Sequence, residues 1–328
     1  MTTADFAAFS NNAVAFASVV YVLAFLAHLV EWVQGRSVPV TAEQPAQVPV
    51  AAGGTEALAD PPPPPDEVVA ERTERLELFA RIGVALTVVA ALLHLAAVVT
   101  RGLGADPVRV PWGNMYEFSI TGTFVVTALY LALLRKYDLR WLGPVVTGFA
   151  VVILMLAVLV LYVPAGPLVP ALHSYWLVIH VIAAIVATGA FCVGGMASLL
   201  FLVKRRAELR GETRSTGYIA RLPASSALDR VAYRMHAFGF PIWTFAALVA
   251  GPIWAEYAWG RYWGWDPKEV WAFITWVVYA AYLHARATAG WKGKAAAIIA
   301  LVGLATLLFN FVGINYFFGS TSQHSYAG

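Results

Sequence analysis

The sequence predicts an all-α polytopic membrane protein with about eight transmembrane helices. Its 328 residues are 60% hydrophobic and only 12% charged, whereas about a quarter of the residues in a soluble domain are charged. This composition excludes a soluble enzyme and a disordered chain. The net charge of +3 is too small to indicate a nucleic-acid-binding protein. The apolar residues also lack the alternation with polar residues that a membrane β-barrel requires.

Eight apolar runs in the sequence approach or exceed the length of about 20 residues that a transmembrane helix needs. They cover residues 13–33, 82–100, 118–134, 142–163, 176–203, 238–254, 270–285 and 295–317. The sixth and seventh runs are short, so we expect each of these helices to extend into the aromatic residues beside it.

The basic residues predict the orientation of the helices, because cytoplasmic loops carry an excess of Lys and Arg. With the N-terminus outside, only four of the 22 basic residues fall in external loops, namely Arg101, Arg109, Arg261 and Lys268. The opposite orientation would place most of the positive charge outside. We therefore expect both termini and the loop after the sixth helix on the external side of a bacterial cytoplasmic (inner) membrane.

The chain divides into three parts. Residues 1–36 contain the first helix, residues 37–80 form a linker, and residues 81–328 contain the other seven helices. The linker is rich in proline, so a disordered or polyproline-like spacer is expected, with a docking segment for a partner as the alternative. The charged stretch 66–81 is expected to form a helix on the membrane surface that leads into the second span.

The single cysteine, Cys192, lies inside an apolar run. One thiol cannot form an intrachain disulfide, and without a C-x-x-C motif the chain offers neither a dithiol redox pair nor thioether attachment sites. The N-terminus lacks the basic region of a secretory signal, so we expect the first helix to remain in the membrane.

Tryptophan is concentrated around the sixth and seventh runs. Seven of the twelve tryptophans lie within residues 243–276, and the external segment 254–269 reads WAEYAWGRYWGWDPKE. Part of this segment has a structural explanation: Asp266, Pro267 and Glu269 suit the N-cap, first and third positions of a helix. Trp and Tyr also gather at membrane interfaces. These explanations account for two or three aromatic residues but not for the density of the segment.

The remaining aromatic residues suit a binding site for a large planar ligand that carries carboxylates. Aromatic rings provide stacking area, interspersed glycines let the backbone approach a flat molecule, and two cations can pair with acidic groups. Haem has this description, and the open alternative is an interfacial aromatic belt without a ligand. The candidate haem platform consists of Trp259, Gly260, Arg261, Tyr262, Trp263, Trp265, Asp266 and Lys268.

Three histidines are candidate ligands of haem iron. His180 lies near the outer end of the fifth run and His324 follows the eighth, so both share a side of the membrane with the tryptophan segment. His284 closes the seventh run about 20 Å below its outer end, so it belongs to a second, inner site. The candidates for the second iron ligand of this inner site are His28, whose depth in the membrane matches that of His284 better, His94, or a residue of a partner protein. For each histidine the alternative is a hydrogen-bonded packing role.

Several separated motifs resemble a known family. The stretch WGRYWGWDPKEVWAFITW at 259–276 resembles the tryptophan-rich "WWD" signature of haem-handling cytochrome c assembly proteins. The other motifs are PWGNMYE at 111–117, SYWLVIH at 174–180, YLHAR at 282–286, GWKG at 290–293 and HSY at 324–326. Together they resemble the CcsA/ResC-type subunit of the System II cytochrome c synthetase over residues 80–328.

The resemblance implies a set of haem ligands. In this family, external histidines that match His180 and His324 ligate haem b presented for attachment. A transmembrane histidine that matches His284 receives haem from the cytoplasmic side. The resemblance does not assign the remaining transmembrane ligand to His28 or His94, and in two-subunit versions the partner is a further source of it.

The resemblance also implies an activity. The chain is expected to be a subunit of a holocytochrome c synthase (haem lyase) that works with a Ccs1/ResB-type membrane partner. The substrates are C-x-x-C-H apocytochromes c, whose thiols other proteins keep reduced. No residue is expected to act as a general base, because the protein positions haem and thiols for their own chemistry. The alternatives are a haem exporter or haem chaperone without ligase activity, and a scaffold whose aromatic residues only pack.

Overall fold

The chain folds, in a computed structural model, into a bundle of α-helices. The structure describes residues 1–35, 66–167, 173–211, 217–288, 290–319 and 321–324, and these residues contain no strand. The proline-rich part of the predicted linker lies outside the described residues. The helices are α1 (Thr3–Gln34), α2 (Asp66–Leu103), α3 (Met115–Leu134), α4 (Gly143–Leu159), α5 (Tyr175–Leu209), α6 (Tyr218–Arg221), α7 (Ser225–Phe245), α8 (Gly251–Trp259), α9 (Pro267–Thr288), α10 (Lys294–Leu308) and α11 (Ile314–Phe317).

Seven helical segments among the described residues are long and apolar enough to cross a membrane. They coincide with seven of the eight predicted runs, which confirms the prediction of an all-α polytopic membrane protein. The remaining run, the seventh (270–285), lies in α9, whose tryptophan, tyrosine and charged side chains make it less apolar than the others. The 22 residues of α9 measure about 33 Å along the axis, which matches the thickness of the hydrocarbon core.

Helix α9 runs the depth of the bundle, antiparallel to its neighbours. At its start, Asp266 accepts hydrogen bonds from Ser322 and Gln323, which follow α11. At its end, Arg286 donates to Asp229 near the start of α7 at 2.7 Å. Helix α9 therefore spans the same depth of the bundle as its neighbours α7 and α10. Seven of the eight predicted crossings are present as helices that are long and apolar enough to cross a membrane, and α9 has the length but not the apolarity.

The start of α1 and the described residues that follow α11 lie at the same end of the bundle. Near the start of α1, Ser10 donates to the Ala97 carbonyl of α2 at 2.8 Å, and Asn11 donates to the Tyr162 hydroxyl after α4 at 2.9 Å. The starts of α3 and α5 lie at this same end, around a cavity that also contains His324. We call it the site end. Its predicted external orientation stays a prediction.

Two predicted segments form longer helices than expected. Residues 66–81, predicted to form a surface helix, are the first turns of α2 and continue into the second span without a break. The sixth span is helical over Ser225–Trp259 and extends the predicted run on both sides. Its continuity is interrupted by Pro241 inside α7 and by a π-helical turn, Ala246–Ala250, that joins α7 to α8. Such turns are frequent at functional sites.

A buried cluster of charges holds the loop before α3 in place. Glu117 accepts from Arg101 Nε at 3.0 Å and from Arg109 Nη1 at 2.6 Å, and all three side chains are at most 8% exposed. The same arginines donate to the carbonyls of Val163 and Gly166 after α4. The cluster thereby fixes the end of α2, the loop that carries Arg109 and the start of α3 relative to one another at the site end.

Candidate functional site

An open cavity lies at the site end between α3, α5, α8, α9 and α10. The space between its walls, together with the open solvent at its mouth, measures about 1290 Å³. Its lining is mainly apolar and aromatic with a few polar groups, which is typical of sites for cofactors and other large organic ligands. The lining includes Trp112, His180, Trp254, Trp263, Lys268 and His324. The structure therefore brings the two predicted external histidines to one cavity.

His180 lies on α5 and faces the π-helical turn. Its Nδ1 is 2.9 Å from the carbonyl oxygen of Ala246. Because a carbonyl only accepts hydrogen bonds, Nδ1 carries the proton and Nε2 keeps the lone pair that a metal needs. Gly251 leaves room for this arrangement, since a Cβ there would lie 3.1 Å from the Ala246 oxygen and 3.2 Å from the imidazole.

His324 is oriented by the carboxylate of Asp266. The Nδ1 atom is 3.1 Å from Oδ1 of Asp266, which leaves Nε2 as the nitrogen available to a ligand. Burial alone would raise the pKa of Asp266, but hydrogen bonds from His324, Ser322 and Gln323 outweigh it and hold the pKa well below its usual range. Asp266 is therefore ionised, and the pair has the carboxylate–histidine arrangement that orients metal ligands in proteins.

Trp254 lies between the two histidines. Its ring stacks on His180 at a centroid distance of 5.8 Å and an angle of 17°, and it meets His324 edge-on at 5.3 Å. Trp259 also contacts His324 edge-on, at 4.4 Å. The sequence did not single out Trp254 as a platform residue, although it is the first residue of the tryptophan segment. Its central position only follows from the pairing of α5 with α8.

The structure places three members of the predicted platform on the cavity, namely Tyr262, Trp263 and Lys268. Lys268 donates to the Asn315 side chain at 3.0 Å and to the His324 carbonyl at 2.7 Å, so it ties α9 to the C-terminal segment. Trp259 and Asp266 act on His324 instead, as described above.

Three other members of the predicted platform, Trp265, Arg261 and Gly260, are not among the residues that line the cavity. Trp265 is 69% exposed and contacts Trp263 edge-on at 5.8 Å. Its φ of 57° is rare for a residue other than glycine. Arg261 donates to the Gln323 side chain. Gly260, at φ 70°, ends α8 in the left-handed conformation that favours glycine, so its position has a structural cause.

The predicted helix start at Asp266 is confirmed. The Asp266 carboxylate accepts from the Lys268 amide at 2.9 Å, and Glu269 Oε2 accepts in return from the Asp266 amide at 3.1 Å. Glu269 also accepts from the Gly264 amide at 2.8 Å. These bonds satisfy the free amides at the start of α9. Asp266 thus both begins the helix and orients His324.

The inner candidate histidines occupy separate places. His284 on α9 is exposed at the surface of the bundle. His28 is fully buried between α2 and α4, where its ring fills the space beside Gly83 and Gly143 and its Nδ1 is 3.3 Å from Glu31. The contacts of α9 are with α7 and α10, and those of α1 are with α2 and α4. The structure therefore does not bring His284 and His28 together.

Two further buried histidines lie away from the cavity. His94 is enclosed by Tyr21 and by Phe124, with its Nδ1 3.4 Å from the Tyr21 hydroxyl. His236, which the sequence interpretation did not single out, is fully buried against the Tyr279 ring at 5.3 Å, and its Nε2 is 3.3 Å from the Ser198 hydroxyl. Both positions suit the packing role that was the alternative for each histidine.

A known protein family matches the part of the chain that contains most of these site residues. The profile of the family described as "Cytochrome C assembly protein" matches residues 112–320, which include the cavity-lining tryptophans, His180 and His284. The chain belongs to this family. The match begins at Trp112 and ends shortly before His324, so it covers most of the site end together with the helices behind it.

Relatives in the cytochrome c assembly family are similar over most of the chain. The protein named "Cytochrome c biogenesis protein CcsA" of Synechococcus sp. (strain JA-2-3B'a(2-13)) is 34% identical over 312 residues, which covers 77% of this chain and 87% of that protein. The protein of the same name from Synechococcus elongatus is 35% identical over 287 residues, covering 75% and 87%. The chain is thus a multi-pass membrane protein of cytochrome c biogenesis.

The fold of this family member also resembles a solved structure. "Cytochrome c Heme Lyase CcmF" superposes with a TM-score of 0.62 at 18% identity, over 95% of this chain and 47% of that one. The chain therefore spans about half the length of that protein and shares its fold over this part. At this identity the likeness concerns the fold alone.

Proposed function

We propose that the chain binds haem b at the site end and presents it on the external face of the membrane for thioether attachment to apocytochromes c. The observation that carries this proposal is the state of the two histidines at the cavity. In each, Nδ1 donates to a fixed oxygen, from Ala246 or Asp266, so Nε2 keeps its lone pair. Two such nitrogens on one aromatic cavity suit the axial positions of haem iron.

The side chains of the lining also suit the rest of the haem molecule. Trp254 and Trp263 supply aromatic surface against a macrocycle, and Lys268 adds a cation to the lining. The chain would position haem so that each cysteine thiol of a C-x-x-C-H motif adds across a vinyl group, with sulfur bonding to one vinyl carbon and hydrogen to the other. The motif's own histidine would replace one axial histidine. The protein contributes proximity and orientation to this addition.

His284 supports the proposal of an inner haem site shared with a partner. Its exposure on α9 and the separate burial of His28 and His94 favour a second ligand from outside the chain. A Ccs1/ResB-type membrane subunit would provide that ligand and would complete the synthase.

Absorption spectra of the purified full-length chain test the external ligands. We expect His180→Gly and His324→Gly to lose most of the Soret band and of the holocytochrome c formed with the partner, and added imidazole to restore part of both. His284→Gly is expected to reduce the amount of haem that the chain takes up. Imidazole is still expected to restore part of the Soret band in His180→Gly, because that variant keeps His284. His236→Ala is the matched control, because His236 is buried away from the cavity. Unchanged spectra in the His180, His324 double variant would exclude the axial assignment.

A cytochrome c maturation assay distinguishes haem attachment from haem transport. The chain and its partner are expressed in a host that lacks its own cytochrome c assembly genes, and covalent haem in a c-type cytochrome is measured. Formation of the holocytochrome supports a synthase. Haem bound to the chain without any holocytochrome would favour a haem exporter or haem chaperone instead.

A further inference from the structure

Two tryptophans on the cavity have enclosed indole N–H groups without a hydrogen-bond partner among the described residues. They are Trp112, in the loop before α3, and Trp263, in the tryptophan segment. A third tryptophan on the same lining, Trp243, donates its Nε1 to the Ala272 carbonyl at 3.3 Å. Unpaired indoles are therefore not a general feature of this cavity. The Asn310 side-chain oxygen is another enclosed and unpartnered atom on the lining.

The chemistry of these groups limits what can complete them. An indole N–H donates one hydrogen bond and accepts none. A donor buried without a partner is unfavourable, because it has lost its bond to water without replacement. A ligand of the cavity that offers acceptor atoms to Trp112 and Trp263 would satisfy both donors.

The lining has two charged side chains, one of which, Lys268, can pair with an anionic acceptor. The carboxylate of Glu269 accepts from the Gly264 and Asp266 amides through Oε2, and so it serves the start of α9. Lys268 contributes an ammonium group to the same lining. Hydrogen bonds to a carboxylate are shorter and stronger than those to a neutral oxygen. Two indole donors and a cation on the lining of one cavity suit carboxylate oxygens.

We propose that the indole N–H groups of Trp112 and Trp263 form a carboxylate-binding subsite that receives the propionate groups of haem. This inference rests on the proposed function of the cavity. It assigns a role to the PWGNMYE motif, which provides the wall of the cavity contributed by Trp112. The buried cluster of Glu117 with Arg101 and Arg109 fixes that wall, so the Trp112 donor is held in place before a ligand arrives.

Comparison of two porphyrin ligands tests the subsite. The full-length chain in detergent is titrated with iron protoporphyrin IX and with its dimethyl ester, and the dissociation constants are read from the Soret band. We expect the wild type to prefer the diacid. Trp112→Phe and Trp263→Phe should each weaken binding of the diacid about tenfold and leave binding of the ester within about twofold. The control Trp291→Phe, at an exposed site, should change neither.

The outcomes separate this inference from the proposed function. If the wild type binds both porphyrins equally, and His180→Gly abolishes both, the axial site stands and the subsite is wrong. If either Phe variant weakens the diacid and the ester by the same factor, the indole acts by packing alone, which also overturns the subsite. A wild type that binds neither porphyrin contradicts the proposed function itself. Thermal unfolding of each variant verifies that the fold is retained.

Discussion

Replacement of Asp266 by asparagine changes the orientation of His324 while keeping the size of the side chain. In the wild type, Oδ1 accepts from the Ser322 hydroxyl at 2.8 Å and from His324 Nδ1 at 3.1 Å, and Oδ2 accepts from the Gln323 amide at 2.7 Å. An amide has one accepting oxygen and one donating nitrogen. Whichever way the substituted amide group turns, its nitrogen faces a backbone donor, either the Gln323 amide or, on the side of His324, the Lys268 amide.

The expected loss follows from these contacts. Hydrogen bonds to an ionised group contribute about 1.5–3 kcal/mol each, and loss of a group that orients a metal ligand typically lowers metal affinity about 10–100-fold. We therefore expect Asp266→Asn to weaken haem binding about 10–100-fold. With the amide nitrogen facing His324, the proton would move to Nε2 and remove the lone pair from the cavity side, as the tautomer is set by the bond at Nδ1.

The assay is titration of the purified chain with haem, followed at the Soret band. Asp138→Asn is the matched control, because Asp138 is exposed at the other end of the bundle, and it should bind haem like the wild type. Added imidazole should restore part of the Asp266→Asn spectrum, since it replaces a misoriented ligand. Wild-type affinity in Asp266→Asn would refute the role of Asp266 in orienting His324. A loss that imidazole does not reduce would indicate collapse of the α9 start instead.

Two further predictions concern stability and orientation. Glu117→Gln leaves two buried arginines without their carboxylate and should lower the free energy of unfolding in detergent by about 3–5 kcal/mol. The control Glu77→Gln, in an exposed pair, should change it by less than about 1 kcal/mol. Equal effects of the two substitutions would contradict a stabilising role of the buried cluster. In a Cys192→Ala background, Tyr257→Cys should react with a membrane-impermeant maleimide in intact cells, and Lys292→Cys only after permeabilisation. The reverse pattern would show that the site end faces the cytoplasm.

The helices were predictable because an apolar run of about 20 residues is a direct physical requirement of the bilayer. Helix α9 shows the limit of that signal. Its aromatic and charged residues lower its apolarity, yet it packs between α7 and α10 along the bundle. The continuous helix from Asp66 was not predicted, since nothing local in the charged stretch 66–81 distinguishes a surface helix from the extension of a span.

The sequence could predict those features of the site that depend only on how far along its helix a residue lies. Counting residues from the helix ends placed His180 and His324 at one end of the bundle, but the hydrogen bonds that select their tautomers come from Ala246 and Asp266. Asp266 carried a visible signal as a helix start. Ala246 carried none, because it contributes only its carbonyl, and that oxygen reaches His180 through a π-helical turn that depends on packing. Trp112 likewise enters the cavity through the pairing of α3 with α5.

The same reasoning explains why histidines that look equivalent in the sequence have different surroundings. His28 and His180 both lie on apolar helices, and each packs against glycine on neighbouring segments. The ring of His28 fills the gap beside Gly83 and Gly143, so that even a Cβ on either glycine would clash with it. The ring of His180 has Gly251 on one side only, and an open cavity on another. A candidate ligand is therefore distinguished from a packing residue by the empty volume next to its second nitrogen, which arises only when distant helices come together.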